Sequence, residues 1–179
     1  MNKRLVILST SPRKNSNSHA LAESFAKGAA EAGNEVEIIS LIGKQIAFCK
    51  GCFACQTTGR CVIRDDAIEI EQKVLNADVV VWATPIYYYE MSGQMKVLID
   101  RLNPLFPKDY RFRDVYLLAS ASEDEDYVPQ RAVEGLKGWV DCFERATFQD
   151  YVFCGGVTDP GDIRGNEKLR AAYEMGKAI

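Results

Sequence analysis

What most constrains this chain of 179 residues is a pattern repeated five times along it: a short β-branched run, a polar break, then apolar residues at helical spacing. After Arg4, residues 5–8 are continuously apolar, as a strand buried on both faces requires. Residues 9–18 are polar and rich in hydroxyls and amides. Leu21, Phe25 and Ala29 then recur every four positions until Gly33, a natural helix stop. A second strand is predicted over 36–39. Asp66, three residues before Glu69, marks the start of a helix running to Asn76. Val79, Val80, Val81, Trp82 and Ala83 give the strongest strand signal. This strand should be central and end at Thr84-Pro85, since proline cannot continue a central ladder. Ser92 caps a helix carrying Met95, Leu98, Ile99 and Leu102, which ends before Pro104. A fourth strand covers 115–119 and a helix 129–145, with the acidic run Glu123-Asp124-Glu125-Asp126 between them. A fifth strand covers 152–157, and a last helix presents Leu169, Ala172, Tyr173 and Gly176 on one face.

Strands alternating with helices imply a parallel sheet with right-handed crossovers and helices on both faces. No repeat, low-complexity stretch or linker interrupts the series, and 47% hydrophobic residues suffice for one core. Two doubly wound orders accommodate five units. The Rossmann order carries G-x-G-x-x-G after its first strand, and the first loop here holds no glycine. The expected fold is therefore α/β, a flavodoxin-like doubly wound three-layer sandwich around a five-stranded parallel sheet. Residues 1–179 form one domain, and 41–64 form a cysteine-containing insertion between the second strand and the second helix. Ligands of this topology sit at the carboxyl ends of the first and third strands. With 22 Lys+Arg against 25 Asp+Glu, the net charge of −3 lacks the basic excess of a nucleic-acid binder. No apolar run approaches the ~20 residues of a membrane span, and the N-terminal apolar run is too short for a signal peptide. A cytoplasmic location is expected, where disulfides are rare and the six cysteines read as ligands, reactive thiols or small core residues.

In the first loop, Ser11, Ser16 and Ser18 offer hydroxyls, Asn17 an amide and Arg13 a charge, beside the N–H groups of a helix start. Such segments also serve simply as caps and turns. The run Ser11-Pro12-Arg13 followed by Ser16-Asn17-Ser18 resembles the first loop of the NAD(P)H-dependent FMN reductase and iron–sulfur flavoprotein group, where it wraps the FMN phosphate. His19, the one histidine, reads as a solvated first-turn residue. The stretch from Thr84-Pro85-Ile86-Tyr87-Tyr88-Tyr89 through Ser92 to Asp100-Arg101 resembles the second flavin loop and following helix of that group. A turn at Pro85 would bring backbone amides and aromatic rings to the sheet edge, where a flavin ring can pack. The three tyrosines can equally be core or interface residues, and Trp82 reads as core. Asp100 and Arg101 are expected to fasten the helix to the sheet. Ser120 and Ser122, after the fourth strand, should border the flavin's other side. The acidic run that follows is either a solvated surface or a lid, and the glycines near 155–163 carry the likeness to the end of the chain.

Cys49, Cys52, Cys55 and Cys61 are spaced C-x2-C-x2-C-x5-C. Thiolates so close together suit a [4Fe–4S] cube better than zinc, which usually takes two separated C-x2-C knuckles. The spacing is similar to that of iron–sulfur flavoproteins and departs from bacterial ferredoxins, with Val62 where those have proline. The four cysteines can also remain free thiols; Cys142, placed on the fourth helix, and Cys154 are expected in the core.

The resemblance implies an FMN-dependent oxidoreductase. Electrons would pass from NAD(P)H through FMN to a quinone, free flavin or redox protein, and the flavin rather than an acid–base dyad would carry the chemistry. It also implies a homodimer or homotetramer, with NAD(P)H over the exposed flavin face and a neighbouring subunit close by. The competing reading is an iron–sulfur flavoprotein or flavodoxin-type electron carrier without NAD(P)H turnover. Flavodoxins proper, however, have a Thr/Ser/Gly-rich first loop unlike Ser11-Pro12-Arg13.

Overall fold

The structure, a computed structural model, describes residues 2–179. Its elements run β1 (Arg4–Ser9), α1 (Asn17–Glu31), β2 (Glu35–Ser40), α2 (Ala54–Thr58), α3 (Ala67–Asn76), β3 (Val79–Tyr87), β4 (Glu90–Met91), α4 (Gly93–Arg101), β5 (Asp114–Ser120), α5 (Gln130–Val140), β6 (Thr147–Cys154) and α6 (Glu167–Lys177). The parallel order β2-β1-β3-β5-β6 is the doubly wound, flavodoxin-like order expected from the sequence. The short β4 pairs antiparallel with the end of β3.

Strand alternation divides the core between two faces. Leu5, Ile7, Val79, Val81 and Ala83 point toward Leu21, Phe25 and Ala172 of α1 and α6. Val6, Leu8, Val80 and Trp82 point toward Ile70, Val74, Met95, Leu98 and Leu136 of α3, α4 and α5. Burying each such aliphatic side chain contributes ~1.5–3 kcal/mol, which is why β1 over 5–8 and β3 over 79–83 are apolar at every position. Trp82 is fully buried and meets Trp139 edge-on at 5.7 Å.

Two boundaries differ from expectation. β3 runs past Pro85, which pairs in register with Ser120. Ala83 O accepts from Thr10 N at 2.8 Å, so Ala83 addresses β1, and two residues on Pro85 addresses the same side. Pairing with β1 stops at Ser9 and Ala83, so no ladder bond is lost at the proline. β6 begins at Thr147 rather than 152, because an edge strand needs only one apolar face and its first half alternates with exposed polar residues. A bulge opposite Val115 and Tyr116 adjusts its register. α5 ends at Val140, and Cys142, expected in the core, lies exposed in the turn beyond it.

Candidate functional site

At the carboxyl ends of β1, β3 and β5 a cleft is lined by Ser11, Arg13, Ser16 and Asn17 from the first loop, and by Pro85, Ile86 and Tyr87 from β3. Ser120, Ala121 and Ser122 follow β5, and Val157, Thr158 and Pro160 follow β6. Ser16 is the N-cap of α1, its Oγ accepting from His19 N at 3.2 Å. That leaves the N–H groups of Asn17 and Ser18 in the helix's first turn with no intrahelical acceptor, as at every helix start. Together with the helix dipole and the hydroxyls, they favour an anion here. Ser11 Oγ accepts from Arg13 N at 3.2 Å, which shapes the turn. Arg13 reaches across the cleft, donating from Nη1 to Thr158 O at 2.7 Å, with Nη2 3.5 Å from Asp159. The side chain of Asn17 is taken up by the same far loop. Its Nδ2 donates to Asp159 O, and its Oδ1 accepts from Gly161 N and Ile163 N. Asp162 caps that loop, and the N–H groups of Asp159 and Thr158 hold its carboxyl below the usual carboxylate value. The enclosed part of the cleft, ≈ 140 Å³, is small beside the ~300–1,000 Å³ of sites that swallow a drug-sized ligand, so only part of such a ligand enters it.

Thr84, Tyr88, Tyr89 and Ser18 do not line the cleft. Buried Thr84 accepts from Ser92 N at 3.0 Å, while Ser92 Oγ caps α4 and lies 3.1 Å from Thr10 Oγ1. These hydroxyls fix the third-strand loop against the first. Ser18 is buried, 3.5 Å from Ser16 Oγ. Tyr88 and Tyr89 form a two-residue hairpin between β3 and β4, with φ of 51° and 65°. Both lie in the left-handed region that Asn-Gly usually fills in such turns. Tyr88 is 95% exposed at the tip, whereas Tyr89 is half-buried and donates to Glu123 at 3.1 Å. That hydrogen bond to a carboxylate raises the Tyr89 phenol above its usual value. The acidic run is exposed, with Glu123 anchored to the hairpin. His19 is less solvated than expected: Nδ1 is 2.9 Å from Ser9 Oγ and Nε2 3.5 Å from Glu23.

Cys49, Cys52, Cys55 and Cys61 border one cavity of ≈ 540 Å³, together with Phe53, Asn103, Phe106, Trp139, Phe143 and Cys142. Cys55 is buried and accepts from Asn103 Nδ2 at 3.0 Å; Cys49 and Cys52 are exposed. Among the described residues no three His, Cys, Asp or Glu side chains converge on one point, as a single ion with Zn–S bonds of ~2.3 Å requires. A four-iron cube takes one thiolate per iron and so needs its ligands around a volume. The donor set is of the right chemistry for that group. Arg101 does not fasten α4 to the sheet as expected; it pairs with Asp65 at 2.6 Å at the end of the cysteine segment. The capping expected of Asp66 falls to Asp65, whose Oδ1 accepts from Ala67 N, while Asp66 accepts from Gln45 N.

Sequence reasoning placed the loop Ser120-Ala121-Ser122 at the cleft but missed Val157, Thr158 and Pro160 there, and Cys142, Asn103 and Phe106 around the cavity. Nothing local marks them; only the turn residues Asp159-Pro160-Gly161 signal that a loop crosses here.

Among known proteins, the chain is 39% identical over 172 residues to an iron–sulfur flavoprotein of Archaeoglobus fulgidus, covering 94% of this chain and 75% of that one. It is 28% identical over 152 residues to an iron–sulfur flavoprotein of Methanosarcina thermophila, covering 84% and 80% respectively. Its fold superposes with a TM-score of 0.76 on an NAD(P)H:quinone oxidoreductase from Methanothermobacter marburgensis, at 18% identity over 99% of this chain and 98% of that one. An azoreductase from Bacillus anthracis gives 0.72 at 16% identity, with both chains fully covered. The sequence family described as NADPH-dependent FMN reductase matches residues 3–158. The chain therefore belongs to the NADPH-dependent FMN reductase family, flavodoxin-like oxidoreductases that bind FMN and use NAD(P)H.

Proposed function

We propose that this protein passes electrons from NAD(P)H through FMN, held in the cleft, to a small-molecule acceptor of the quinone or free-flavin class. The observation that carries the reading is the placement of the α1 N-terminus, its hydroxyls and Arg13 at the same sheet edge as an exposed aromatic hairpin. Ser11, Ser16, Ser18 and Asn17 would receive the FMN phosphate, through hydroxyls where these are free and through backbone N–H groups where they are not. Arg13 adds positive charge beside them. Thr84, Pro85, Ile86, Tyr87, Tyr88 and Tyr89 supply the loop along which the ring lies, and Ser120 and Ser122 close its other side. FMN, when bound, supplies the redox chemistry by accepting hydride from NAD(P)H and passing electrons on. The protein orients the ring and leaves one face open, because the 140 Å³ cleft admits only part of the cofactor. NAD(P)H and acceptor then take turns at that open face, beside Tyr88.

A second element goes with this reading. We propose that residues 41–64 are an insertion in a single domain, and that Cys49, Cys52, Cys55 and Cys61 hold a [4Fe–4S] cluster. What favours it is the gathering of all four thiols on one cavity and the naming of the Archaeoglobus and Methanosarcina relatives as iron–sulfur flavoproteins. A cluster held there would let electrons leave one at a time. We further propose that the chain assembles as a dimer or tetramer.

The test is anaerobic steady-state oxidation of NADH and NADPH with a quinone, free flavin or ferricyanide as acceptor, alongside iron and sulfide assays. The expected outcome is turnover with at least one small acceptor. Flavin-loaded protein that oxidises neither nucleotide overturns the enzyme reading in favour of an electron carrier.

A further inference from the structure

Arg101, the last residue of α4, has a side chain with no exposed surface, although it carries a full charge. Its Nη1 donates to Ala47 O at 2.8 Å and to Asp65 Oδ2 at 2.6 Å. Its Nη2 donates to Ile63 O at 3.3 Å and to Asp65 Oδ1 at 2.8 Å. Asp65 Oδ2 in turn accepts from Ala47 N at 2.9 Å. Ala47 stands two residues before Cys49 and Ile63 two residues after Cys61. One guanidinium therefore holds both ends of the cysteine run together and closes it into a loop. These bonds use only the two terminal nitrogens. The third donor, Nε–H, is buried with no acceptor.

A buried donor left without an acceptor is costly, and it is rare in a well-satisfied network. Cys61 stands two residues before Ile63, whose carbonyl the same guanidinium holds, and its sulfur becomes a strong acceptor only as a thiolate. Lysine could not serve in this place: a single ammonium cannot bridge two carbonyls and both oxygens of a carboxylate in one plane, whereas the arginine fork does so with one donor to spare. A thiolate at Cys61 would give the orphaned Nε–H the acceptor it lacks.

We propose that Arg101 is the positioning residue of the cysteine segment. It closes the loop from Ala47 to Ile63 around the cavity and gives its spare Nε–H to the sulfur of Cys61, which it holds in place as a ligand of the cluster. The proposal rests on the cluster reading above. Outer-shell partners of this kind orient ligands, and hydrogen bonds to ligand sulfur tune a cluster's reduction potential.

The experiment compares the FMN-containing wild type with Arg101→Lys, Arg101→Gln and Asp65→Asn after anaerobic reconstitution with iron and sulfide. It reads iron and sulfide per FMN, hydrogen exchange of peptides spanning 44–66, and the cluster midpoint potential by EPR-monitored titration. FMN content, which reports the fold around the distant cleft, should be the same in all four proteins. Iron per FMN should fall about tenfold or more in Arg101→Gln, with faster exchange in 44–66 and a lower potential in the residual cluster. Arg101→Lys keeps the charge but not Nε–H, so it should also load poorly and should not restore the potential. Asp65→Asn loosens one end of the loop but leaves Nε–H in place. It should speed exchange while moving the potential least, which separates a ligand-directed hydrogen bond from a merely structural staple. If Arg101→Gln does not accumulate, the lysine and asparagine variants decide by the same readouts. Wild-type iron loading and an unchanged potential in the Arg101 variants overturn the proposal and leave the cluster reading standing. Wild-type protein that takes up no iron overturns the cluster reading itself, and this proposal with it.

Discussion

Single atoms at Ser16 and Asp65 decide how the two sites are held. Ser16 Oγ caps α1 while lining the anion cleft. Ser16→Ala should lower stability by ~1 kcal/mol, the usual value of an N-cap, and weaken FMN retention as well. Urea unfolding of the flavin-free protein and fluorescence titration with FMN separate the two effects. At Asp65, desolvation opposes ionisation, but the hydrogen bonds from Arg101 and from the Ala47 and Ala67 N–H groups outweigh it, so its carboxyl lies below the usual carboxylate value. A carboxyl whose folded value is depressed contributes stability above its unfolded pKa of ~3.9, and that stability is lost as pH falls through the folded value. The cysteine segment should therefore loosen on acidification below about pH 4. Limited proteolysis across pH checks this, and in Asp65→Asn the transition should be absent.

At the scale of elements, the hairpin between β3 and β4 is strained beside the cleft. Tyr88 and Tyr89 both occupy left-handed backbone, which costs roughly 1–3 kcal/mol for each non-glycine residue. Tyr88 recovers nothing by packing, since it is almost wholly exposed. Tyr88→Asn should stabilise the protein by ~1 kcal/mol, because asparagine tolerates that conformation, and should raise the KM for NAD(P)H by removing the aromatic face beside the cleft. Thermal unfolding and steady-state kinetics read the two arms; a stabilised variant with unchanged KM would show that Tyr88 is not part of the nucleotide site. On the opposite side of the sheet, α1 and α6 cross backbone to backbone. A Cβ at Gly28 would lie 2.0 Å from Tyr173 O, and one at Gly176 would lie 2.1 Å from Phe25 O. Neither carbonyl can rotate away inside a helix. Gly28→Ala should thus force the helices apart and destabilise the fold by ~1–3 kcal/mol, measured by denaturant titration.

For the whole molecule, the sheet separates two kinds of cysteine. Cys154 is fully buried at the end of β6, and burial raises its thiol pKa, whereas Cys49, Cys52 and Cys142 are exposed around the cavity. In iron-free protein the exposed three should alkylate rapidly in the native state and Cys154 only on global unfolding, which site-resolved mass spectrometry would show. Among the described residues no helix is long and apolar enough to cross a membrane. Phe48, Phe53, Val62 and Phe106 are exposed around the cysteine segment, and the proposed dimer or tetramer would give them a partner surface. Sedimentation velocity measures that assembly directly.

The sequence by itself determined the layers. Strand alternation, helical spacing, the glycine-free first loop and the cap at Ser92 are local signals, and each survives in the structure because local geometry and burial agree. It also brought together Ser11, Arg13, Ser16, Pro85, Tyr87 and Ser120, because a doubly wound sheet always gathers the loops at the carboxyl ends of its strands. Only the tertiary structure decided the rest. Whether Pro85 could stay within a central strand depended on where β1 stopped pairing. The far wall of the cleft depended on the 157–160 loop folding back across the first loop. The partner of Arg101 depended on two positions 36 apart in the chain closing to a 2.6 Å ion pair. Contacts of that range leave no periodicity in the sequence, since they are selected by the shape of the folded core and not by the residues beside them.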